Sequence, residues 1–175
     1  TSTASTLAFT WDLPFQNLRS DFGQGQTNLY TTDSDLPGLK DIDEDGDLDI
    51  FVYGLYNSVQ WHENTTTCGL DFVLNTYCWG RFEEGSLTNK LTLNGCTGVK
   101  KADFFADSTS AKTLHAGSTL LMLNLNGDTL TDVLIGDVSY NNGIAAFNSG
   151  RQDSAFMSSQ DTLFPNYNTP IDLFI

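Results

Sequence analysis

The chain has 175 residues, room for one domain of ordinary size, and its 39 % apolar and 12 % aromatic content excludes a disordered class. Eight Lys+Arg stand against 22 Asp+Glu, a net charge of −14. That excess would repel nucleic-acid phosphates and anionic membrane surfaces, and leaves cations as favoured partners, or solubility alone. No apolar run approaches the roughly 20 residues of a membrane span, so no membrane insertion is expected. The opening TSTASTLAFTWDL has neither a basic region nor a continuous apolar stretch, so no signal peptide is visible; a mature secreted chain or a fragment would look the same.

Helical apolar spacing is absent, and short β-rich runs recur instead. In chain order they are Thr6–Thr10, Leu48–Tyr53, Val59–Glu63, Asp71–Leu74, Ser118–Leu123, Asp132–Ile135 and Ile144–Phe147. Turn clusters separate them at Tyr56-Asn57-Ser58, Asn94-Gly95, Asn141-Asn142-Gly143 and Asn148-Ser149-Gly150. Short strands with polar turns predict an all-β sandwich, barrel or propeller. The chain closes on PIDLFI, which reads as the opening of an apolar strand; a continuing chain, or another chain, is expected to complete that sheet.

Two segments repeat. LKDIDEDGDLDIFVYGLYNSVQWHENT and LMLNLNGDTLTDVLIGDVSYNNGIAAFNSG share an apolar lead, an oxygen-rich loop, a strand, a Tyr-Asn turn, a second strand and an Asn-containing exit, at an offset of 83 residues. In the first loop, Asp41, Asp43 and Asp45 are alternating carboxylates, Gly46 permits a sharp turn, the Asp47 carbonyl turns inward and Asp49 closes position nine. A hard cation such as calcium takes six to eight oxygens at about 2.3–2.6 Å, and this spacing supplies them. An EF-hand is excluded because position twelve is Val52 and the flanks read as strands. In the second loop Asn124, Asn126, Asp128, the Leu130 carbonyl and Asp132 hold the matching positions. Formal ligand charge falls from −4 to −2, and Thr129 replaces the turn glycine, with strain if that position needs positive φ. One Ca2+ is expected in loop one; loop two is either a weaker second site or a hydrogen-bonded turn without metal. Magnesium, which keeps its waters, fits both loops less well.

The D-x-D-x-D-G-x-x-D loop of Asp41–Asp49, with its partial copy at Asn124–Asp132, resembles the calcium loops of FG-GAP/VCBS repeats in integrin-like β-propellers. YCWGRFEEGSLTN (77–89) and LHAGSTLLMLNLNGD (114–128) resemble secreted or surface VCBS-repeat proteins of Bacteroidota, often substrates of type IX secretion. The resemblance spans about residues 36–150. It implies a partial β-propeller of about two four-stranded blades, too few to close a ring of four to eight. On that reading, residues 1–35 hold an outer strand of a preceding blade, at Leu7–Leu13, and a lead-in. Residues 36–113 form a blade with the first calcium loop and an insertion from Cys68 to Thr113; 114–170 form a blade with the second loop; 171–175 begin another at Ile171. The implied function is a calcium-binding scaffold for adhesion or for protein or glycan binding on a secreted or cell-surface protein. The implied partners are the remaining blades or another chain. Two alternatives stay open: part of a secreted polysaccharide-degrading enzyme, or a component or substrate of a secretion or surface assembly. Cys68, Cys78 and Cys96 allow three pairings; the resemblance favours Cys78–Cys96.

No catalytic constellation appears: there is no G-x-S-x-G elbow, P-loop or H-E-x-x-H. Cysteine and histidine spacing argues against zinc. His62 and His115 read as packed or exposed residues rather than bases. Glu83 and Glu84, adjacent on a strand, point to opposite faces. Trp11, Trp61 and Trp79 read as packing residues rather than a sugar platform. The sequon Asn64-Thr65-Thr66 reads as unused, and Asp107-Ser108-Thr109 and Asp153-Ser154-Ala155 match a short O-glycosylation pattern that chance also produces.

Overall fold

A computed structural model describes residues 17–54, 57–67, 69–96 and 117–165. Within them the chain is all-β, with twelve strands and one 3-10 turn at Trp79–Arg81. The strands are β1 (Arg19–Asp21), β2 (Gln26–Asn28), β3 (Gly38–Lys40), β4 (Asp49–Tyr53), β5 (Val59–Asn64), β6 (Phe72–Thr76), β7 (Phe82–Glu84), β8 (Leu91–Leu93), β9 (Ser118–Leu123), β10 (Asp132–Asp137), β11 (Gly143–Asn148) and β12 (Met157–Phe164).

Two antiparallel meanders organise the molecule. The first is β3-β4-β5-β6, extended at the β6 edge by β1, which runs parallel to β6, and by β2. The second is β9-β10-β11-β12. Each begins on the residues just before an oxygen-rich loop and turns through that loop into its second strand: Lys40 lies opposite Asp49, and Leu123 opposite Asp132. The predicted runs from Leu48 to Leu74 and from Ser118 to Phe147 all lie on strands, with ends displaced by one or two residues. Those at Thr6–Thr10, Leu7–Leu13 and Ile171 fall outside the described residues, as do Trp11, Cys68, Asp107-Ser108-Thr109 and His115.

The sheets pack one upon the other. Phe51, Tyr53, Val59 and Trp61 from the first meet Leu120, Met122, Val133, Ile135, Ile144 and Ala146 from the second. Trp61 and Trp79 are both buried in this core, and Phe51 stacks near-parallel to Trp61 with centroids 6.4 Å apart. Each such aromatic side chain contributes roughly 2–3 kcal/mol on burial. The approach is closest at the first strands. A Cβ on Gly38 would stand 2.9 Å from Met122 Cγ and 3.3 Å from Leu120 Cβ, so glycine is what lets β3 lie on β9. Leu36 extends the contact, donating its N–H to Ser118 O and accepting from Leu120 N–H.

The repeat fixes the sense of this packing. Under the offset of 83 residues, Phe51 corresponds to Leu134 and Ile50 to Val133. Phe51 faces the second sheet, whereas Leu134 faces away from the first and lines an apolar hollow with Leu121 and Phe164. The sheets therefore stack front to back, one presenting the Phe51 face and the other the Val133 face. The rear of the first sheet is covered by its own chain: Leu29 packs on Ile50, Val52 and Phe72, and Phe22 lies edge-on to His62.

The β7–β8 hairpin ties the sheets together. Ser58 bridges to Glu83, while Gln160 of β12 accepts from Leu91 N–H and donates back to Leu91 O, both at 2.8 Å. A Cys78–Cys96 disulfide closes the base of the hairpin, with Cα atoms 6.3 Å apart. It points to a non-cytoplasmic location. Among the described residues, no helix is long and apolar enough to cross a membrane.

Candidate metal centre

The two oxygen-rich loops share one backbone path. Positive φ occurs at Glu44 and Gly46 in the first (64° and 103°) and at the equivalent Gly127 and Thr129 in the second (81° and 78°). Thr129 thus carries the left-handed conformation that its replacement of glycine raised as a concern. They are also anchored alike. Asp49, fully buried, accepts Ile42 N–H on Oδ2 and Asn64 N–H on Oδ1, at 3.2 and 2.9 Å. Asp132, also fully buried, accepts Leu125 N–H on Oδ2 and Asn148 N–H on Oδ1, both at 2.8 Å. Each position-nine aspartate therefore clamps the loop entrance to the exit of the following strand. Burial pushes Asp49 up to about 6, against the pull of the two N–H donors.

The rest of the donor sets differ. In the second loop every side chain turns on its own backbone or neighbour. Asn124 Oδ1 accepts Gly127 N–H, Asn126 Oδ1 accepts Asp128 N–H, and Asp128 Oδ1 accepts Leu130 N–H. Asn126 Nδ2 then donates to Asp128 Oδ2 at 2.8 Å. The loop closes as linked Asx turns.

In the first loop Asp41, Asp43 and Asp45 each offer a carboxylate oxygen within 4.8 Å of the others. Oxygens at about 2.4 Å on opposite sides of one calcium ion are separated by about that distance. Two of these carboxylates are partly satisfied by the loop backbone: Asp41 Oδ2 accepts Gly46 N–H and Asp45 Oδ1 accepts Asp47 N–H. Asp41 Oδ1 and both Asp47 side-chain oxygens, however, expose less than 1 Å² each and have no hydrogen-bond partner. Sealed carboxylate oxygens without a donor cost energy that a cation would repay. Desolvation raises the Asp43 and Asp47 carboxyls, and the neighbouring charges raise them further: Asp45 acts on both, Asp43 and Asp41 on Asp47. The Asp47 carboxyl is near enough to feel these charges but is not one of the three carboxylates grouped closely enough to share an ion. The Asp41, Asp43 and Asp45 carboxylates are placed so that together they could hold a metal ion.

The loops lie side by side. Gln152 accepts Thr131 N–H, donates to Thr129 O at 3.1 Å, and reaches Glu44 Oε1 at 3.5 Å. At the opposite end of the strands, Tyr53, Glu84, Asp35 and Asp137 are buried together, with Glu84 Oε1 3.2 Å from Ser118 Oγ. His62 is fully buried between Ser20 Oγ (2.8 Å to Nδ1) and Gln60 Oε1 (3.2 Å to Nε2). With Gln60 accepting, Nε2 carries the proton and Nδ1 accepts from the serine hydroxyl. Asn64 is buried and donates Nδ2 to Gly69 O, so the sequon amide is sequestered; Asp153 and Ser154 are exposed in the β11–β12 turn.

No family model, curated protein or solved structure matches the chain.

Proposed function

We propose that this chain is a calcium-clipped module of stacked β-meanders, propeller-like in plan, that serves an extracellular protein as a scaffold for protein or glycan binding. The observation that carries it is the set of sealed, unpartnered oxygens of Asp41 and Asp47 beside the Asp41, Asp43 and Asp45 cluster. Four carboxylates in one short loop repel each other, and a divalent ion turns that repulsion into a clamp between β3 and β4. Loop two does the same job with hydrogen bonds, so one ion per chain is the reading the geometry favours.

The propeller plan is supported by the repeat and by its front-to-back packing. A further sheet of the same kind would cover Leu121, Leu134 and Phe164 as the second sheet covers Phe51. The disulfide supports an oxidising compartment. Calorimetric titration of the chelator-treated protein with Ca2+ tests the reading, together with thermal melts with and without chelator. One ion should bind, and the melting temperature should rise with free calcium by the linkage of a ligand held only by the folded state. A melting temperature indifferent to both would refute it.

A further inference from the structure

The segment from Leu18 to Leu29 is tied firmly to itself and thinly to the rest of the sheet. Leu29 N–H donates to Leu18 O, β1 pairs with β2 from Arg19–Asn28 to Asp21–Gln26, and Asp21 Oδ1 accepts Gly23 N–H and Gly25 N–H in the turn between them. Toward the body the strap has a two-residue parallel pairing, with Ser20 opposite Phe72 and Asp21 opposite Val73. Gln26 Nε2 donates to Asp71 Oδ1 at 3.2 Å, and Leu29 packs on Ile50, Val52 and Phe72.

His62 adds a tie of a different kind. β6 lies between β1 and β5 in the sheet, so Ser20 reaches past it to bring Oγ within 2.8 Å of His62 Nδ1. Phe22 lies edge-on to the same ring, with centroids 5.3 Å apart. Gln60 holds Nε2, and Ile50 and Leu74 stand opposite on β4 and β6. Ser20 and His62 are both fully buried. None of these neighbours is charged. The nearest charged residues along each element are otherwise engaged or exposed: Asp21 holds its own turn, Asp71 accepts from Gln26, Glu63 accepts from Asn75, and Arg19 is exposed.

The closed strap therefore has no place for an imidazolium. Ser20 Oγ donates to Nδ1, and protonating that nitrogen sets donor against donor. A buried cation without an acid or water beside it is strongly disfavoured, and desolvation is what lowers the ring's pKa from 6.5 to about 4. Lifting the strap takes Ser20 and Phe22 off the ring and admits water to it. The core of Phe51 and Trp61, on the other face of the sheet, is left in place.

We infer that Leu18–Leu29 is an acid-released strap: protonation of His62 frees β1 and β2 from the first sheet and uncovers the apolar Ile50, Val52 and Phe72 patch while the two stacked meanders stay folded. The ring is neutral and the strap closed above pH 6.5, and the tie weakens as pH falls toward 4. The inference is independent of any ion at loop one.

The test is hydrogen exchange of the whole chain by mass spectrometry at pH 7.5 and pH 4.5, corrected for intrinsic exchange rates, in the wild type, His62→Gln and Ser20→Ala. In the wild type, protection of peptides from Leu18–Leu29 should fall about 50- to 100-fold on acidification, while peptides from β9–β11 keep theirs. Ser20→Ala should lower strap protection at both pH values and keep the pH dependence; His62→Gln should abolish it. Strap protection equal at the two pH values in the wild type would overturn the inference. So would loss of protection in strap and β9–β11 together, which is global unfolding, or a His62→Gln protein that keeps the wild-type pH dependence.

Discussion

Burial of neutral His62 should make this protein acid-sensitive in a way that one substitution can isolate. The imidazole is fully enclosed, and its neighbours Ser20, Gln60 and Phe22 carry no charge. Desolvation lowers its pKa from 6.5 to about 4. The folded state thus refuses a proton that the unfolded state accepts below 6.5. The stability tied to the neutral ring is fully present above pH 6.5 and is lost as pH falls toward 4. The gap of about 2.5 pH units, at 1.36 kcal/mol per unit, makes the loss about 3 kcal/mol. Asp49 works in the opposite sense: raised from 3.8 to about 6, it takes up a proton more readily when folded and gains stability over much of the same range. The two groups therefore act on acid stability in opposite senses. His62→Gln removes one contribution and leaves the other. Urea unfolding of both proteins at pH 7.5 and pH 4.5 gives the difference of differences. The cost of the substitution should shrink by about 2–3 kcal/mol on acidification. A cost that is the same at both pH values would refute the neutral-histidine argument.

Three further outcomes follow from the loops and the hairpin. Thr129→Gly relieves a β-branched residue at φ 78° and should stabilise by about 1 kcal/mol, or about 2–4 °C in melting temperature by calorimetry. Asp132→Ala leaves the N–H groups of Leu125 and Asn148 without their acceptor in a buried position and should cost about 2–4 kcal/mol in denaturant titration. A fully intact midpoint would show that the clamp is dispensable. Reducing Cys78–Cys96, or replacing both with serine, frees a loop of 18-residue separation and should cost about 3 kcal/mol, read as a lower melting temperature in reductant.

The interior of each meander was legible because β4, β5, β9, β10 and β11 carry enough apolar and β-branched residues to declare themselves. β12 was missed: MSSQDTLF is an edge strand with one buried residue and has no apolar alternation to detect. β1, β2, β3, β7 and β8 are three residues each, too short for any period to register. The first loop's acidic cluster was readable because alternating carboxylates stand out in the sequence. The clamping role of Asp49 and Asp132 was not, because a ligand and a hydrogen-bond acceptor at position nine both require a carboxylate. The recurring exits His62-Glu63-Asn64 and Ala146-Phe147-Asn148 held the missing signal: the shared asparagine marks the clamp. Thr129 was flagged correctly, since left-handed backbone is a property of the loop path whichever residue fills it.

Front-to-back stacking gives this molecule a polarity. Among the described residues, its Leu134 side is apolar and open, with Leu121 54 % exposed, while its Ile50 side is covered by Leu29 and Phe22. Two copies cannot add to each other in the sense that the two sheets do, because the surface that would be received is already occupied by its own chain. Among the described residues, Leu29 and Phe22 therefore close one face of the stacked sheets and leave the other open.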